Sequence, residues 1–596
     1  MSDKSGKTPV VLVGPVGDHY GMPSIAVSLL KASLETRGIG CRAIYANLVF
    51  YDIFGNDFFN NNSLTGISLL FLERLFAPMA HGDLMPYDLT SLTGHGISDS
   101  PEIFYDVLMG ERTPVSRALA REANRMATLF LQRMTEKIVA QSPIIVGFSS
   151  TFHTTNSILA MVRYVKMHLP DALCVVGGNN CEGEMGIELG KLSKDIDYIF
   201  QGEADFAFAS FCRDYLDKEK LPQDKIIACP PILDLNTLPS PDYQDFFHQW
   251  TLPHEHIFLT FESSRGCWWG HKHQCKFCGE SALDLPYRVR APERVISELE
   301  KFQEYYPGVK TYMASDSIFP YSYFKTFLPQ LIESRFTGKL IYETKANLRR
   351  SQVELLCRAG VIRIMPGIES LSTRLLKLLN KGSTTIINIR LLRHCRELDM
   401  DVAWLLLMGI PGDKLEDYEA QVSLIPFLQH LSPPGIEPVR IPRNSPYFKE
   451  GHKYDVCNLT ALRAYRHAFP AKTDFFSIAY FFTADFPSEA RECPEKMRTF
   501  VECIRKWQTR WTHEKFPELI LRQLPNKEWE LTDTRDCALT PRHIISQGEQ
   551  DLLRRCVWGL PVEKARLDPA YKICIKAGYI VEVDQKALSV VCRTSG

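Results

Sequence analysis

Phe261-Glu-Ser-Ser-Arg-Gly-Cys-Trp-Trp-Gly-His-Lys-His-Gln-Cys-Lys-Phe-Cys-Gly-Glu280 decides how this chain reads. It carries three cysteines, Cys267, Cys275 and Cys278, at C-x7-C-x2-C spacing, directly after the apolar, strand-like run Ile257 to Phe261. Three thiolates can hold three irons of a [4Fe–4S] cluster and leave the fourth iron open to a substrate. The competing reading is a zinc knuckle with His271 or His273 as fourth ligand. A structural zinc site normally draws on two paired half-sites, and no second Cys-x2-Cys pair occurs in the chain. The loop also opens a series of alternating strands and helices, where zinc knuckles are unusual.

Downstream of the loop, a helix is expected from Pro292 to Tyr306, with proline in its first turn and Glu293 near its positive end. Strand-like runs recur at Lys310 to Ala314, Lys339 to Glu343, Ile362 to Pro366 and Val402 to Met408. This is a βα series long enough for a partial or full barrel, whose chemistry sits at the carboxyl ends of the strands. Those ends carry Ser315-Asp316-Ser317, Glu343-Thr-Lys345, Gly367-Ile-Glu369-Ser370 and Gly409-Ile-Pro-Gly412.

Upstream, Pro9-Val-Val-Leu-Val-Gly-Pro15 reads as a buried parallel strand ending in a Gly14-Pro15 turn. A helix from Pro23 to about Arg37 and strands at Cys41 to Ala46, Ile144 to Ser149, Leu173 to Gly178 and Tyr198 to Glu203 follow. Strands alternating with helices at this spacing imply a parallel, doubly wound sheet, which binds ligands at its carboxyl edge. The polar and glycine-rich tails Ser149 to Thr155, Gly177 to Glu184 and Gly202-Glu203 fall there. A mostly helical insertion (Leu69 to Phe76, Pro114 to Ile138) interrupts the series.

The totals exclude several classes. With 45% hydrophobic and 23% charged residues the composition is that of a globular protein, and 596 residues imply two to four domains. A formal net charge of −1 gives no electrostatic case for nucleic acid or an acidic membrane. No run reaches the ~18 apolar residues of a membrane span, and the start lacks a signal peptide. Seventeen scattered cysteines suit a reducing cytoplasm, the expected location.

The chain resembles the cobalamin-binding radical S-adenosylmethionine (SAM) enzymes, and within them the branch that methylates carbon in ribosomally made peptide precursors. The resemblance rests on Gly147-Phe-Ser-Ser-Thr-Phe152, Gly177-Gly-Asn-Asn-Cys-Glu-Gly183, Ser264-Arg-Gly-Cys-Trp-Trp-Gly270, Cys275-Lys-Phe-Cys-Gly279 and Glu343-Thr-Lys-Ala-Asn347. Pro366-Gly-Ile-Glu-Ser-Leu371, Lys381-Gly382, Gly409-Ile-Pro-Gly412, Ser445-Pro-Tyr447 and Asp533-Thr-Arg535 continue the order. It favours the cluster over zinc. It implies three domains: 1–230 for cobalamin, a linker at 231–255, and 256–440 for the radical SAM barrel. Residues 441–596 would be a helical and small α+β region, a possible docking module for substrate.

The resemblance also implies roles. Cys267, Cys275 and Cys278 would ligate [4Fe–4S], with SAM chelating the open iron. Asp316 would hold the SAM amino group, and Glu343, Lys345 and Glu369 are candidates for the rest of SAM or for the substrate. Cobalamin would lie across Gly14, Pro15, Ser149, Ser150, Thr151, Phe152, His153, Gly177, Gly178, Asn179, Gly202 and Glu203. A 5′-deoxyadenosyl radical would take hydrogen from an unactivated carbon, and methylcobalamin would deliver a methyl group to it. A ferredoxin or flavodoxin would supply the low-potential electron. Alternatives are a small-molecule substrate, or cyclisation without methyl transfer.

Two departures matter. Asp-x-His-x-x-Gly, which supplies an axial histidine, is absent, because Asp18-His19-Tyr20-Gly21 has the wrong spacing; no histidine is expected on the lower cobalt face. Cys278-Gly-Glu-Ser281 stands where the peptide branch more often has Gly-Leu-Asn. Trp268 and Trp269 read first as packing residues and second as cofactor contacts.

Overall fold

The structure is a computed structural model that describes residues 8–17, 19–55, 70–85, 117–280, 286–512 and 515–593. Asp18, Leu69, residues 114–116 and Ser281 lie outside them. The first sheet contains β1 (Val10–Val13), β2 (Cys41–Ile44), β3 (Ile145–Ser149), β4 (Leu173–Gly177), β5 (Tyr198–Gly202) and β6 (Ile226–Cys229). All pair in parallel, in the order β2-β1-β3-β4-β5-β6. The inner strands are apolar runs because helices cover both faces, so successive side chains alternate between two buried layers. The order reverses between β1 and β3, and at such a switch point loops diverge and open a crevice.

β6 was not evident in the sequence, because Ile226-Ile-Ala-Cys229 is a short edge strand between a charged stretch and two prolines. The helices Phe71–His81 and Arg117–Val139 represent the insertion. Their apolar faces close one side of the sheet.

The barrel follows. β7 (Phe258–Phe261) runs into the cysteine loop, within which β8 (Ser264–Arg265) pairs with β9 (Arg288–Val289). The sheet continues through β10 (Thr311–Ala314), β11 (Lys339–Thr344), β12 (Val361–Pro366) and β13 (Asp401–Val402), all parallel. The expected strand Val402 to Met408 is broken in two, β13 and β14 (Leu405–Met408). Between them Trp404 turns into the core and donates its indole N–H to Ser432 O at 2.9 Å. β14 pairs with β15 (Gly435–Pro438), leaving an open, partial barrel.

Helices were expected to dominate from 440 to 520. Instead β16 (Ile441–Pro442), β17 (Cys457–Ala461) and β18 (Phe481–Asp485) form an antiparallel sheet, and the long helix Arg498–Arg510 comes after it. Apolar side chains of this segment, among them Tyr465, Phe469 and Phe482, share a core with Val11, Val146 and Phe148 of the first sheet. A segment far along the chain therefore seals the first domain, through tertiary burial that local periodicity does not report. The last part is a small α+β unit. Its closing strand pair, expected at Tyr579 to Val583 and Leu588 to Val591, is present as β23 (Ile580–Val583) and β24 (Lys586–Ser589), the preceding strands β19–β22 being Leu519–Gln523, Trp529–Asp533, Arg542–Ile544 and Leu560–Pro561.

Arg535 pins this unit to the barrel. Its buried guanidinium donates to both carboxylate oxygens of Asp533, at 2.9 and 2.7 Å. It also donates to the carbonyls of Phe427, Gly578 and Ala577. Arg535→Met leaves Asp533 as an unpaired buried charge, and breaking such a pair costs about 3–5 kcal/mol. Chemical denaturation is expected to show a loss of that size, with hydrogen exchange accelerated in residues 519–593; a loss under about 1 kcal/mol contradicts the assignment.

Candidate functional site

Two features meet where the first sheet faces the barrel. One is a cavity of about 910 Å³ at the carboxyl ends of β1, β3, β4, β5 and β6. The other is the cysteine loop, whose flanking residues Glu262, Arg265 and Glu280 line the same cavity.

Glycines make the cavity. At Gly178 φ is +102° and an added Cβ would stand 2.4 Å from Ser150 O; at Gly202 φ is +97° and a Cβ would stand 2.4 Å from Cys229 O. Both positions require a backbone that other residues rarely adopt. Gly147 leaves bare backbone between Leu12, Val175 and Phe208, so the cavity runs down one face of the sheet toward the helices Ile25–Glu35 and Ala207–Lys218. Its floor is apolar and its rim carries Asn179, Glu182, Glu184, Glu203 and Asp205.

Of the residues expected to meet cobalamin, Ser149, Gly177, Gly178, Asn179, Gly202 and Glu203 line it, whereas Gly14, Pro15 and Ser150 to His153 do not. Ser150 instead braces two loops, donating its N–H to Gly177 O at 2.7 Å and receiving the Asn180 amide at its Oγ. His153 is turned into the interior with φ +53° and stacks on Phe152. Burial pushes its imidazole down to about 4, so it is neutral at pH 7. Among the described residues no histidine lines the cavity.

The cysteine loop is held from both sides. Lys276 N–H donates to Leu379 O at 3.1 Å and the Asn380 amide donates to Gln274 O at 3.1 Å. The Gln274 side chain donates to Asn444 O at 3.2 Å, and Tyr447 N–H to Lys276 O at 3.1 Å. Both tryptophans pack the loop on the barrel: Trp268 donates to Phe319 O at 3.2 Å and Trp269 to Asn380 O at 3.3 Å. Gly382 has φ +63°, and a Cβ there would lie 2.1 Å from the Trp269 ring.

Cys267, Cys275 and Cys278 are half-buried and free of disulfides. Burial pushes the Cys278 thiol up to about 12 and raises Cys267, on which the Gly270 N–H at 3.3 Å acts in the opposite direction. Such thiols need a positive partner to become thiolates. Lys381 is that partner: burial opposes its charge, but Glu369, Cys275 and Cys278 outweigh burial and hold the ammonium above its ordinary value. Its Nζ stands 3.3 Å from Glu369. No group of three His, Cys, Asp or Glu side chains among the described residues is gathered around a single-ion position. A cubane distributes three thiolates over three irons, so the donor set fits a cluster.

The four strand-end side chains differ. Asp316 is buried, and its carboxylate accepts the Ser263 N–H at 2.7 Å, the Ser264 hydroxyl at 2.7 Å and the Ser263 hydroxyl. It thus fixes the turn that leads into Cys267. Lys345 Nζ lies 3.4 Å above the Trp269 ring and donates to Lys381 O. Glu369 has φ +61°, and its carbonyl accepts from Leu407 N–H at 2.9 Å. Glu343 alone is accessible. Burial at the base of the opening, then Glu280, Asp316 and Glu369, push its carboxyl up to about 7.

Arg265, Lys381 and Arg443 were not singled out as site residues. Arg443 lines the cavity while donating to Glu184 at 3.0 Å and to Ala479 O at 2.9 Å. Two signals were available: Arg265 stands two residues before Cys267, and Lys381 belongs to the Lys381-Gly382 motif.

With this geometry in view, the comparisons are informative. Residues 261–425 match the model of the radical SAM superfamily. These residues are a radical SAM domain. An anaerobic magnesium-protoporphyrin IX monomethyl ester cyclase of Synechocystis is 25% identical over 285 residues, 44% of this chain and 56% of the relative. The enzyme of that name from Cereibacter sphaeroides is 24% identical over 318 residues, 48% of this chain and 50% of the relative. The chain spans about half the length of these curated relatives. The fold is shared with OxsB, a cobalamin-dependent SAM radical enzyme, at TM-score 0.54 and 13% identity, over 84% of this chain and 66% of that one. TsrM from Kitasatospora setae, a radical SAM methyltransferase, matches at TM-score 0.52 and 15% identity, over 83% of this chain and 88% of that one. Among the described residues no helix is long and apolar enough to cross a membrane.

Glu343 yields a pH test. Its folded-state pKa of about 7 exceeds the unfolded value of about 4.3. Its contribution to stability is therefore complete below about pH 4.3 and is lost as pH rises toward 7. Glu343→Gln removes that loss. The melting temperature of the variant relative to the parent is expected to climb between about pH 4.5 and 7 and then level; a constant difference contradicts the shift.

Proposed function

We propose that the chain is a cobalamin-dependent radical SAM C-methyltransferase acting on an unactivated carbon. The observation that carries this is the 910 Å³ cavity at the carboxyl edge of a doubly wound sheet, rimmed by residues on both sides of the cysteine loop. Bound there, the cofactors would supply hydrogen-atom abstraction from carbon and a transferable methyl group. The protein's part is to orient them and to exclude water.

Cys267, Cys275 and Cys278 would hold the cluster, with Lys381 offsetting the thiolate charge. Glu343, Glu369 and Lys345 stand at the mouth of the barrel, where SAM and substrate would meet, and Asp316 sets the approach to Cys267. Ser149, Gly177, Gly178, Asn179, Gly202 and Glu203 would face cobalamin. The arm of the cavity that reaches the helices Ile25–Glu35 and Ala207–Lys218 would take its nucleotide tail. Among the described residues the lining offers no histidine, so cobalamin bound there would take no imidazole from it, which would favour transfer of the methyl group as a radical. The motifs favour a ribosomal peptide precursor as substrate; a ferredoxin or flavodoxin would supply the low-potential electron that the cluster needs. The names of the curated relatives support a second reading, in which a ring is closed without methyl transfer.

Anaerobic reconstitution followed by metal analysis tests the proposal. The expected result is about four irons and one cobalt per chain, with iron lost in the Cys267/Cys275/Cys278→Ala variant. With substrate, S-adenosylhomocysteine and 5′-deoxyadenosine are expected in about equal amounts, alongside a product heavier by one methyl group. Iron without cobalt removes the cobalamin arm, and zinc without iron overturns the radical reading. A product without that mass gain favours the cyclase reading.

A further inference from the structure

A second cavity, of about 370 Å³, lies far from the cysteine loop, between the barrel helix Thr385–Glu397 and the C-terminal unit. Its two walls are chemically opposite. Leu521, Leu553 and Trp558 make the apolar wall; Arg350, Arg393, Arg593, His394 and Glu397 make the other.

The charged wall is under-partnered. His394 is 2% exposed, neither of its ring nitrogens has a hydrogen-bond partner among the described residues, and the Glu397 carboxylate stands 3.7 Å from Nδ1. Arg393, equally buried, donates to Ser589 O at 2.6 Å and to Val557 O at 3.5 Å, yet among the described residues its Nε is unpartnered and lies 3.8 Å from Glu397. Arg350 reaches the same carboxylate at 3.3 Å and, outside the cavity, Glu354 at 3.6 Å. Among the described residues Glu397 is thus the one carboxylate in a lining that holds three guanidinium groups. Buried polar groups of native proteins are normally paired, and an uncompensated positive wall is stabilised by an anion.

We propose that this cavity binds a small organic carboxylate with an apolar body, its carboxylate against Arg350, Arg593 and His394 and its body against Trp558 and Leu553. The volume is at the low end of ligand pockets, which run from about 300 to 1,000 Å³. It suits a free acid carrying one ring or a short chain. Guanidinium groups grip a carboxylate or a phosphate through two parallel bonds, so the apolar wall is what favours an organic acid and disfavours a bare inorganic anion.

Isothermal titration of the full chain with 3-phenylpropanoate, its neutral amide and inorganic phosphate tests this. The expected result is saturable binding of the carboxylate, with amide and phosphate each at least ten-fold weaker. Arg593→Met and Arg350→Met are each expected to weaken the carboxylate ten-fold or more. Arg350 is half-exposed, so its replacement keeps the fold even if His394→Phe does not. No carboxylate binding, equal binding of the amide, tighter binding of phosphate, or binding that both arginine variants retain overturns the proposal.

Discussion

At the edge where the two halves face each other, one arginine clamps them together. Arg265 donates to Glu262 at 2.6 Å and, through its two terminal nitrogens, to both oxygens of Asp205 at 3.1 and 3.2 Å. Glu203, 3.5 Å away, is in turn gripped by Arg288 at 2.7 and 2.8 Å. Glu203 and Asp205 follow β5 of the first sheet; Arg265 and Arg288 pair in the ribbon that leads to the cluster cysteines. All five groups are largely withdrawn from water, so removing any one leaves charge stranded where the effective dielectric is low. Bidentate guanidinium contacts also fix direction, which a lysine could not do. The carboxyl edge of the first sheet is thereby held facing the cysteine loop.

Within that frame the mouth of the barrel is electrostatically divided. Glu343, Glu369 and Glu280 crowd one side, and crowding together with burial holds the accessible Glu343 partly protonated near neutrality. Lys381 sits between this carboxylate group and the thiols, its charge sustained by both. Lys345, although placed at a strand end, is used structurally: burial and Lys381 lower its pKa to about 8 while it lies on Trp269. The cysteine loop is consequently clamped by charge on one side and by aromatic packing on the other. This is the rigidity expected of a scaffold that must orient cofactors.

Much of this was legible in the sequence, for physical reasons. Val10-Val-Leu-Val13 and Leu173-Cys-Val-Val-Gly177 read as strands because a sheet covered on both faces needs uninterrupted apolar runs. The glycine-rich ends Gly177-Gly178 and Gly202 announced bare backbone at one edge, and the cysteine spacing announced its chemistry. The clamp was not legible, since Arg265 meets Asp205 across 60 residues of chain and its place in the Ser264-Arg-Gly-Cys267 motif does not name that partner. Nor was the saturation of Asp316, whose partners Ser263 and Ser264 look like ordinary loop residues. The sheet β16–β18 was missed because its aromatic run Ala479-Tyr-Phe-Phe482 reads equally as helix or strand, and only the first domain's exposed apolar face decides between them.

The central claim is that the strand-edge cavity and the cysteine loop are two cofactor sites facing each other. Electron paramagnetic resonance of the anaerobic chain, loaded with cob(II)alamin and a reduced cluster, tests it most directly. Mutual dipolar broadening of the two signals, relative to the chain carrying either centre alone, is the expected result. Two spectra that simply add, each unchanged by the other, would contradict it.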